Sequence, residues 1–311
     1  MTLSVVIPCY NEEKSLPVAI GRILAVLQGV PGVHEIVLVD DGSSDGTWNV
    51  IKAAAQQTPS VRGLRLSRNF GHQIALSAGL QATIGERIFI LDADLQDPPE
   101  LLPEMMAAID AGADVAYGRR RSREGEGIFK LFTAFLFYRF INWLSDIEIP
   151  KDTGDFRLVT RRVLEAVNSM PERHRFLRGM FAWVGFRQVP VDYDRAERLE
   201  GESKYPVTAM IRFATTAITS FSVRPLRLAM LMAAFFAVAG FFAILYVVIG
   251  HFLGGTAQGW TSLMVVVLFI ASLQFLLLGI IGEYIGRMFT EQKNRPLFIC
   301  SGRCGGTPDN S

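Results

Sequence analysis

Residues 87–100 read RIFILDADLQDPPE and predict a buried strand that ends in a cluster of carboxylates. The apolar run at 88–91 is typical of a strand covered on both faces. Asp92 and Asp94 follow at once, and Pro98 and Pro99 then begin a helix. Carboxylates held together at a strand end repel each other, and a divalent cation relieves that repulsion. Because a D-x-D triplet is also common on solvated loops, this interpretation depends on the surrounding elements.

The chain on either side of this stretch alternates between strand and helix patterns. Strands are predicted at 3–8, 35–39, 61–66, 87–91 and 115–117, and helices at 15–28, 47–56, 73–84 and 98–109. This alternation predicts an α/β fold with a mostly parallel sheet covered by helices. Ligands of such sheets bind beyond the carboxyl ends of the strands. The polar clusters fall there: 10–12, Asp40-Asp41, Asp92–Asp94 and 119–121.

The last third of the chain has the pattern of a membrane hairpin. Segments 226–249 and 260–282 are almost free of charge, and each exceeds the ~20 residues needed to cross a bilayer. Arginine and lysine lie before the first segment and after the second, so the positive-inside rule puts both ends in the cytoplasm. We therefore predict a cytoplasmic catalytic domain at 1–205, a transmembrane hairpin at 224–289 and a cytoplasmic tail at 290–311. Segments 128–145 and 206–223 are predicted as interfacial helices, with helices packed in a core as the alternative.

Composition and the turn at 40–47 argue against several other classes of protein. The 311 residues carry a formal net charge of +1 and only three cysteines, which disfavours nucleic-acid binding and a disulfide framework. The turn at 40–47, DDGSSDGT, lacks the lysine of a phosphate-binding loop, so ATP or GTP hydrolysis is disfavoured. We interpret Asp41 in this turn as an acceptor for a nucleobase, with a simple turn and helix cap as the alternative.

Four motifs together resemble the family 2 glycosyltransferases of the GT-A fold. They are VIPCYNE at 6–12, VDDGSSDGT at 39–47, SRNFG at 67–71 and DADLQDPPE at 92–100. More narrowly, the chain is similar to the polyprenyl-phosphate glycosyltransferases, through DTGDFR at 152–157, FLRG at 176–179, ESKY at 202–205 and NRPL at 294–297. The chain has no Q-x-x-R-W motif, which disfavours polymer synthesis.

The resemblance implies a role for each motif residue. It implies that the nucleotide is held by Pro8, Tyr10, Glu12, Asp41, Asp92 and Ala93. It implies that Mg²⁺ or Mn²⁺ is surrounded by Asp92, Asp94 and Gln96, and that catalysis and acceptor positioning fall to Asp155, Arg119, Lys130 and Lys204. For Asp155 we expect that it positions the acceptor phosphate or orients a neighbouring cation, with a cap or an ion pair to Arg157 as the alternative.

The expected activity is metal-dependent, inverting transfer of a sugar from a nucleotide-sugar to a polyprenyl phosphate of the undecaprenyl type. A phosphate monoester has a second pKa of about 6, so no strong base is required, and His72 and His174 are assigned structural roles. UDP-glucose is the favoured donor. A GDP-mannose-dependent mannosyltransferase and a non-catalytic membrane scaffold remain alternatives. The expected setting is a bacterial inner membrane, where the hairpin also allows a homo-oligomer.

Overall fold

The computed structural model describes residues 2–94, 96–120, 153–194, 224–252 and 259–306. The chain divides into two compact units. One is an α/β unit, to which residues from both before and after the hairpin belong, and the other is helical. The two predicted interfacial helices, 128–145 and 206–223, lie outside the described residues.

The α/β unit is built on an eight-stranded sheet in the order β7-β5-β6-β4-β1-β2-β3-β8. Its strands are β1 Thr2–Cys9, β2 Val33–Asp40, β3 Val61–Leu66, β4 Arg87–Ile90, β5 Val115–Arg120, β6 Thr153–Thr160, β7 Gln188–Tyr193 and β8 Cys300–Cys304. Four neighbouring pairs are parallel, whereas β6 runs antiparallel to β4 and β5, and β8 runs antiparallel to β3. The predicted α/β fold with a mostly parallel sheet is confirmed.

The helices of this unit follow their strands as the sequence pattern requires. They are α1 Leu16–Gln28, α2 Thr47–Gln57, α3 His72–Ala82, α4 Leu102–Asp110, α5 Arg161–Ser169 and α6 Leu177–Trp183, with a 3₁₀ turn at Pro99–Leu101. α1 buries Leu16, Ile20, Ile23 and Leu27 at helical spacing. In α3, a Cβ at Gly79 would overlap the side chain of Val6 in β1. The close approach of α3 to the sheet therefore depends on glycine.

The C-terminal segment returns to the sheet as its edge strand. β8 pairs with β3 across an irregularity at Arg65/Leu66, and the Ser301 hydroxyl bonds to the carbonyl oxygens of these two residues, each at 3.2 Å. Immediately after β3, the Ser67 N–H donates to the Ile299 carbonyl at 2.8 Å. The region predicted as a tail, 290–311, therefore contains a strand. Its five residues, CSGRC, carry no strand pattern of their own, and β3 supplies the pairing.

The second unit contains two long helices, α7 Arg224–Phe252 and α8 Trp260–Gln292, of 29 and 33 residues. At 1.5 Å per residue, each is roughly 40 Å or longer, against a hydrocarbon core of ~30 Å. Within the described residues, one stretch, Phe269–Gln292, is long and apolar enough to cross a membrane. The predicted spans fall inside α7 and α8, and two crossings remain a prediction.

Candidate active site

The acidic loop after β4 lies beside Asp155 because of the strand register. Ile90 of β4 pairs with Arg157 of β6 in antiparallel register, so two residues further on Asp92 comes opposite Asp155. Within the described part of the chain, Oδ1 of Asp92 is buried and has no hydrogen-bond partner. Burial raises the pKa of Asp92 to about 6, although the nearby His72 lowers it in part. A buried carboxylate oxygen without a donor is the arrangement that a cation would complete.

The rest of the acidic loop is anchored to the neighbouring strands. The Gln96 N–H donates to Oδ1 of Asp94 at 3.2 Å. The buried Asp97 accepts a hydrogen bond from the Tyr193 hydroxyl, and its Oδ1 lies 3.8 Å from Nη2 of Arg120. Burial and the charge of Asp97 raise the pKa of Tyr193. β5 and β7 therefore fix the position of the loop.

The donor set of this loop fits a hard cation that substrate phosphates help to hold. Among the residues that the structure describes, no three or more His, Cys, Asp or Glu side chains are grouped to hold a metal ion. Mg²⁺ is commonly bound by one or two carboxylates together with substrate phosphates. Asp92 and Asp94 supply carboxylates and Gln96 supplies an amide oxygen, which are suitable ligands for Mg²⁺ or Mn²⁺.

Asp155 is a buried carboxylate held by the N-terminal ends of two helices. Its oxygens accept hydrogen bonds from His72 Nε2 at 3.1 Å, Gln73 Nε2 at 2.9 Å and Arg178 Nε at 2.9 Å. The Oε1 atom of Gln73 in turn accepts from the Leu177 N–H at 2.9 Å, which links α3 to α6. Burial alone would raise the pKa of Asp155, but Arg178 and His72 hold it well below its usual range. This lowered pKa favours the ionised form of Asp155, which makes it poorly suited to accept a proton.

His72 and Arg157 both act electrostatically on this carboxylate. Partial burial lowers the pKa of His72, but the hydrogen bond to Asp155 and the charge of Asp92 outweigh this effect and raise it to about 9. Burial lowers the pKa of Arg157 to about 10. The guanidinium of Arg157 donates to the Gly154 carbonyl at 2.9 Å and lies 4.6 Å from the ring centroid of Phe181.

The predicted nucleoside residues lie at the ends of β1 and β2. Asp41 accepts hydrogen bonds from the Phe70 and Gly71 N–H groups at 2.8 and 2.9 Å, so its carboxylate shapes the loop after β3. Burial raises the pKa of Asp41, and these two amides lower it in part. Tyr10 is 48% exposed beyond the end of β1. A Cβ at Gly42, which has φ of +68°, would overlap the backbone of residue 68, so the loop approaches the turn only because glycine stands there.

Three other predicted nucleotide contacts are less exposed to solvent than Tyr10. The side chain of Pro8 is buried within β1, and Ala93 is 3% exposed in the hydrophobic core, so Ala93 offers its backbone rather than its side chain. The Glu12 carboxylate accepts a hydrogen bond from the Ser15 hydroxyl, and its N–H donates to Thr47 Oγ1 at 2.8 Å. These three assignments stay predictions.

Of the predicted acceptor cations, Arg119 alone lies within the described residues. Arg119 forms an exposed, bidentate ion pair with Asp192, with Nε–Oδ1 and Nη2–Oδ2 distances of 2.6 and 2.9 Å. Lys130 and Lys204 lie outside the described residues. From the sequence, Gln73 and Arg178 receive no individual role, Arg120 is included only in the polar cluster 119–121, and His72 is assigned a structural role. The sequence does mark these positions: His72 and Gln73 directly follow the SRNFG motif, and Arg178 lies within FLRG. Arg120 is adjacent to Arg119.

Comparison with known proteins agrees with this fold. Residues 4–167 match Glycosyl transferase family 2, and residues 224–288 match the GtrB C-terminal hairpin. The sheet with carboxylates at its strand tips is that of a glycosyltransferase. The chain belongs to glycosyl transferase family 2, and it carries a hairpin of the GtrB type. This hairpin and the apolar stretch in α8 indicate membrane association.

Similar proteins match this chain over nearly its whole length. The SfII prophage-derived bactoprenol glucosyl transferase of Shigella flexneri is 38% identical over 99% of this chain and 100% of its own length. An uncharacterized glycosyltransferase of Bacillus subtilis, YkcC, is 42% identical over 95% and 92%. Among solved structures, glucosyl-3-phosphoglycerate synthase from Mycobacterium tuberculosis, in complex with Mn²⁺, UDP and phosphoglyceric acid, is 20% identical, with a TM-score of 0.46 over 70% of this chain and 76% of its own.

Proposed function

We propose that this protein transfers glucose from UDP-glucose to a polyprenyl phosphate of the undecaprenyl type, with a divalent metal and with inversion at the anomeric carbon. The observation that carries the proposal is the buried Oδ1 of Asp92, which accepts no hydrogen bond within the described residues. It lies 3.6 Å from His72 Nε2, which belongs with Arg157 and Arg178 to a cationic cluster around Asp155. The match to a bactoprenol glucosyl transferase along 99% of the chain supports this choice of acceptor and sugar.

In this proposal the acidic loop holds the metal and the donor diphosphate. Asp92, Asp94 and Gln96 supply the oxygen ligands, and a bound Mg²⁺ or Mn²⁺ would neutralise the diphosphate as it leaves. Tyr10 and the loop shaped by Asp41 hold the nucleoside. The protein's own contribution is to fix these groups before reaction, so that little reorganisation is needed at the transition state.

The acceptor requires positioning rather than deprotonation. The phosphate oxygen of a polyprenyl phosphate is already anionic at neutral pH, since the second pKa of a phosphate monoester is about 6. It attacks the anomeric carbon of glucose while the bond from that carbon to the nucleoside diphosphate breaks. The oxygens of Asp155 already accept hydrogen bonds from His72, Gln73 and Arg178, which supports a positioning role for this carboxylate. Arg119, Lys130 and Lys204 remain predicted acceptor contacts, and we add Arg120, which lies near Asp97.

The return of the chain to the sheet supports a cytoplasmic position for both ends. β1 to β7 precede the hairpin and β8 follows it, yet all eight belong to one sheet. A folded sheet lies on one side of a bilayer, so an even number of crossings must separate β7 from β8. The basic residues that flank the hairpin, Arg224, Arg227, Arg287, Lys293 and Arg295, favour the cytoplasmic side.

The test is a transfer assay with the full-length protein in lipid nanodiscs. Radiolabelled UDP-glucose or GDP-mannose is supplied with undecaprenyl phosphate and Mn²⁺, Mg²⁺ or EDTA, and label in the lipid phase is counted. We expect transfer from UDP-glucose that EDTA abolishes, and a product whose anomeric proton in NMR reports inversion. Asp92→Asn should lower kcat by about 10²–10³-fold, as for the loss of one electrostatic contact to a transition state. Asp110→Asn removes an exposed carboxylate paired with Arg87 and serves as the control.

Three results would contradict the proposal. Transfer at an undiminished rate in EDTA would rule out a requirement for a divalent metal. Transfer from GDP-mannose alone would favour the mannosyltransferase alternative. Failure to bind either nucleotide-sugar with metal present would favour the scaffold alternative.

A further inference from the structure

His72 lies between the two carboxylates that the proposed function assigns to different tasks. Its Nε2 atom is 3.1 Å from Oδ2 of Asp155 and 3.6 Å from Oδ1 of Asp92. The first distance is that of a hydrogen bond, and the second is just beyond one. Since His72 is the first residue of α3, the start of that helix lies near both the loop after β4 and strand β6 through one imidazole.

Asp155 and Asp92 differ in how much they depend on His72. Asp155 also accepts hydrogen bonds from Gln73 and Arg178, so its charge is compensated from two other side chains. By contrast, within the described residues Oδ1 of Asp92 is buried without a hydrogen-bond partner, and the imidazole Nε2 of His72 lies 3.6 Å from it. His72 is therefore placed to influence the orientation of Asp92.

Carboxylates that bind metals are oriented by side chains outside the metal site, and loss of such a side chain commonly weakens metal binding by about 10–100-fold. We propose that His72 is a positioning residue for the metal site: tied to Asp155, its imidazole orients Asp92 toward the cation and joins the metal site to the cationic cluster. This inference rests on the proposed function only in taking Asp92 as a metal ligand. It gives His72 no proton to transfer.

Two neighbouring variants separate this role from a general effect on Asp155. Both His72→Leu and Gln73→Leu remove a donor to Asp155, but within the described residues Gln73 forms no hydrogen bond with Asp92. Binding of Mn²⁺ to the full-length protein is followed by the EPR signal of free Mn²⁺ at saturating UDP. We expect His72→Leu to raise the half-saturating Mn²⁺ concentration by about tenfold or more, and Gln73→Leu to leave it within about twofold of wild type while lowering kcat.

A conservative variant and a distant one complete the design. His72→Gln keeps an N–H donor and should recover much of the Mn²⁺ affinity that His72→Leu loses, which also keeps the test decisive if the leucine variant fails to fold. His34 lies near the start of β2, at the other end of this strand from Asp41, and its imidazole forms a hydrogen bond with the Val30 carbonyl. His34→Gln should therefore bind Mn²⁺ as wild type does.

The outcomes distinguish the inference from the proposed function. Unchanged Mn²⁺ affinity in His72→Leu, an equal loss in Gln73→Leu, or no recovery in His72→Gln would overturn the role of His72 while leaving the glycosyltransferase proposal intact. A wild-type protein that binds no Mn²⁺ in the presence of UDP or GDP would overturn both.

Discussion

Replacing Asp155 by asparagine should destabilise the α/β unit substantially. The carboxylate is 3% exposed and accepts hydrogen bonds from Arg178, His72 and Gln73. Asparagine has one acceptor oxygen, and its amide group would face donors. Breaking a buried ion pair costs about 3–5 kcal/mol. Because the side chain of Arg178 is 31% exposed and can regain water, we expect the lower end, about 3 kcal/mol, from a total stability of about 5–15 kcal/mol.

The pH dependence of this loss follows from the sign of the pKa shift. Since Arg178 and His72 hold the pKa of Asp155 below its unfolded value, the carboxylate stabilises the fold at neutral pH, and this contribution fades as the pH falls below about 4. The difference in unfolding free energy between wild type and Asp155→Asn should therefore be largest near pH 7 and shrink on acidification.

The assay is urea unfolding in detergent, followed by tryptophan fluorescence between pH 7 and pH 3. Asp110→Asn is the matched control: its carboxylate is 62% exposed in a surface pair with Arg87, and its loss should cost less than about 1 kcal/mol. The double variant Asp155→Asn/Arg178→Met should be more stable than the sum of the single effects predicts, by about 0.5–3 kcal/mol. An Asp155→Asn protein within about 0.5 kcal/mol of wild type at pH 7 would refute the reasoning, because a loss that small is typical of ordinary surface substitutions.

Three further predictions concern packing and the sheet edge. Gly79→Ala should lower stability by about 1–3 kcal/mol, because the added methyl group overlaps β1 despite the better helix propensity of alanine. Gly21→Ala in α1, where a Cβ meets nothing within 4 Å, should raise stability by roughly 0.5–1 kcal/mol. Shifts of the thermal midpoint in the same direction for both variants would contradict this. Tyr193→Phe leaves the buried Asp97 without its hydroxyl donor and should cost about 1–3 kcal/mol in urea unfolding, and an unchanged midpoint would argue against that contact. Deleting residues 295–311 should expose β3 to limited proteolysis and weaken UDP binding, because the loop after β3 loses its bond to Ile299; unaltered cleavage and binding would show that β8 is dispensable.

Much of the α/β unit could be predicted because its first five strands carry local signals. β1, β2 and β4 are nearly continuous apolar runs, and each is followed by polar residues at the strand end. Strands of this kind pair in parallel and place their ends together. The acidic loop was predicted to follow the end of β4, and the structure pairs β4 with β1.

The remainder depends on pairings that no local pattern contains. β6 inserts antiparallel between β4 and β5, and this brings Asp155 within hydrogen-bond distance of His72, 83 residues earlier in the chain. Strand alternation also decides which of two adjacent arginines faces the acidic loop: Arg120 turns toward Asp97, and Arg119 turns outward to Asp192. The sequence offers both arginines, and only the three-dimensional register separates them.

The late position of β8 in the chain has a consequence for biosynthesis. Protein chains are made from the N-terminus, and domains generally fold as units during synthesis. Here the sheet cannot be finished until the ribosome has made α7 and α8, because its edge strand, Cys300–Cys304, follows both helices. Until then β3 presents an open edge, which is a site for aberrant association. A nascent chain that stalls within the hairpin would carry this open edge and become a target for quality-control proteases.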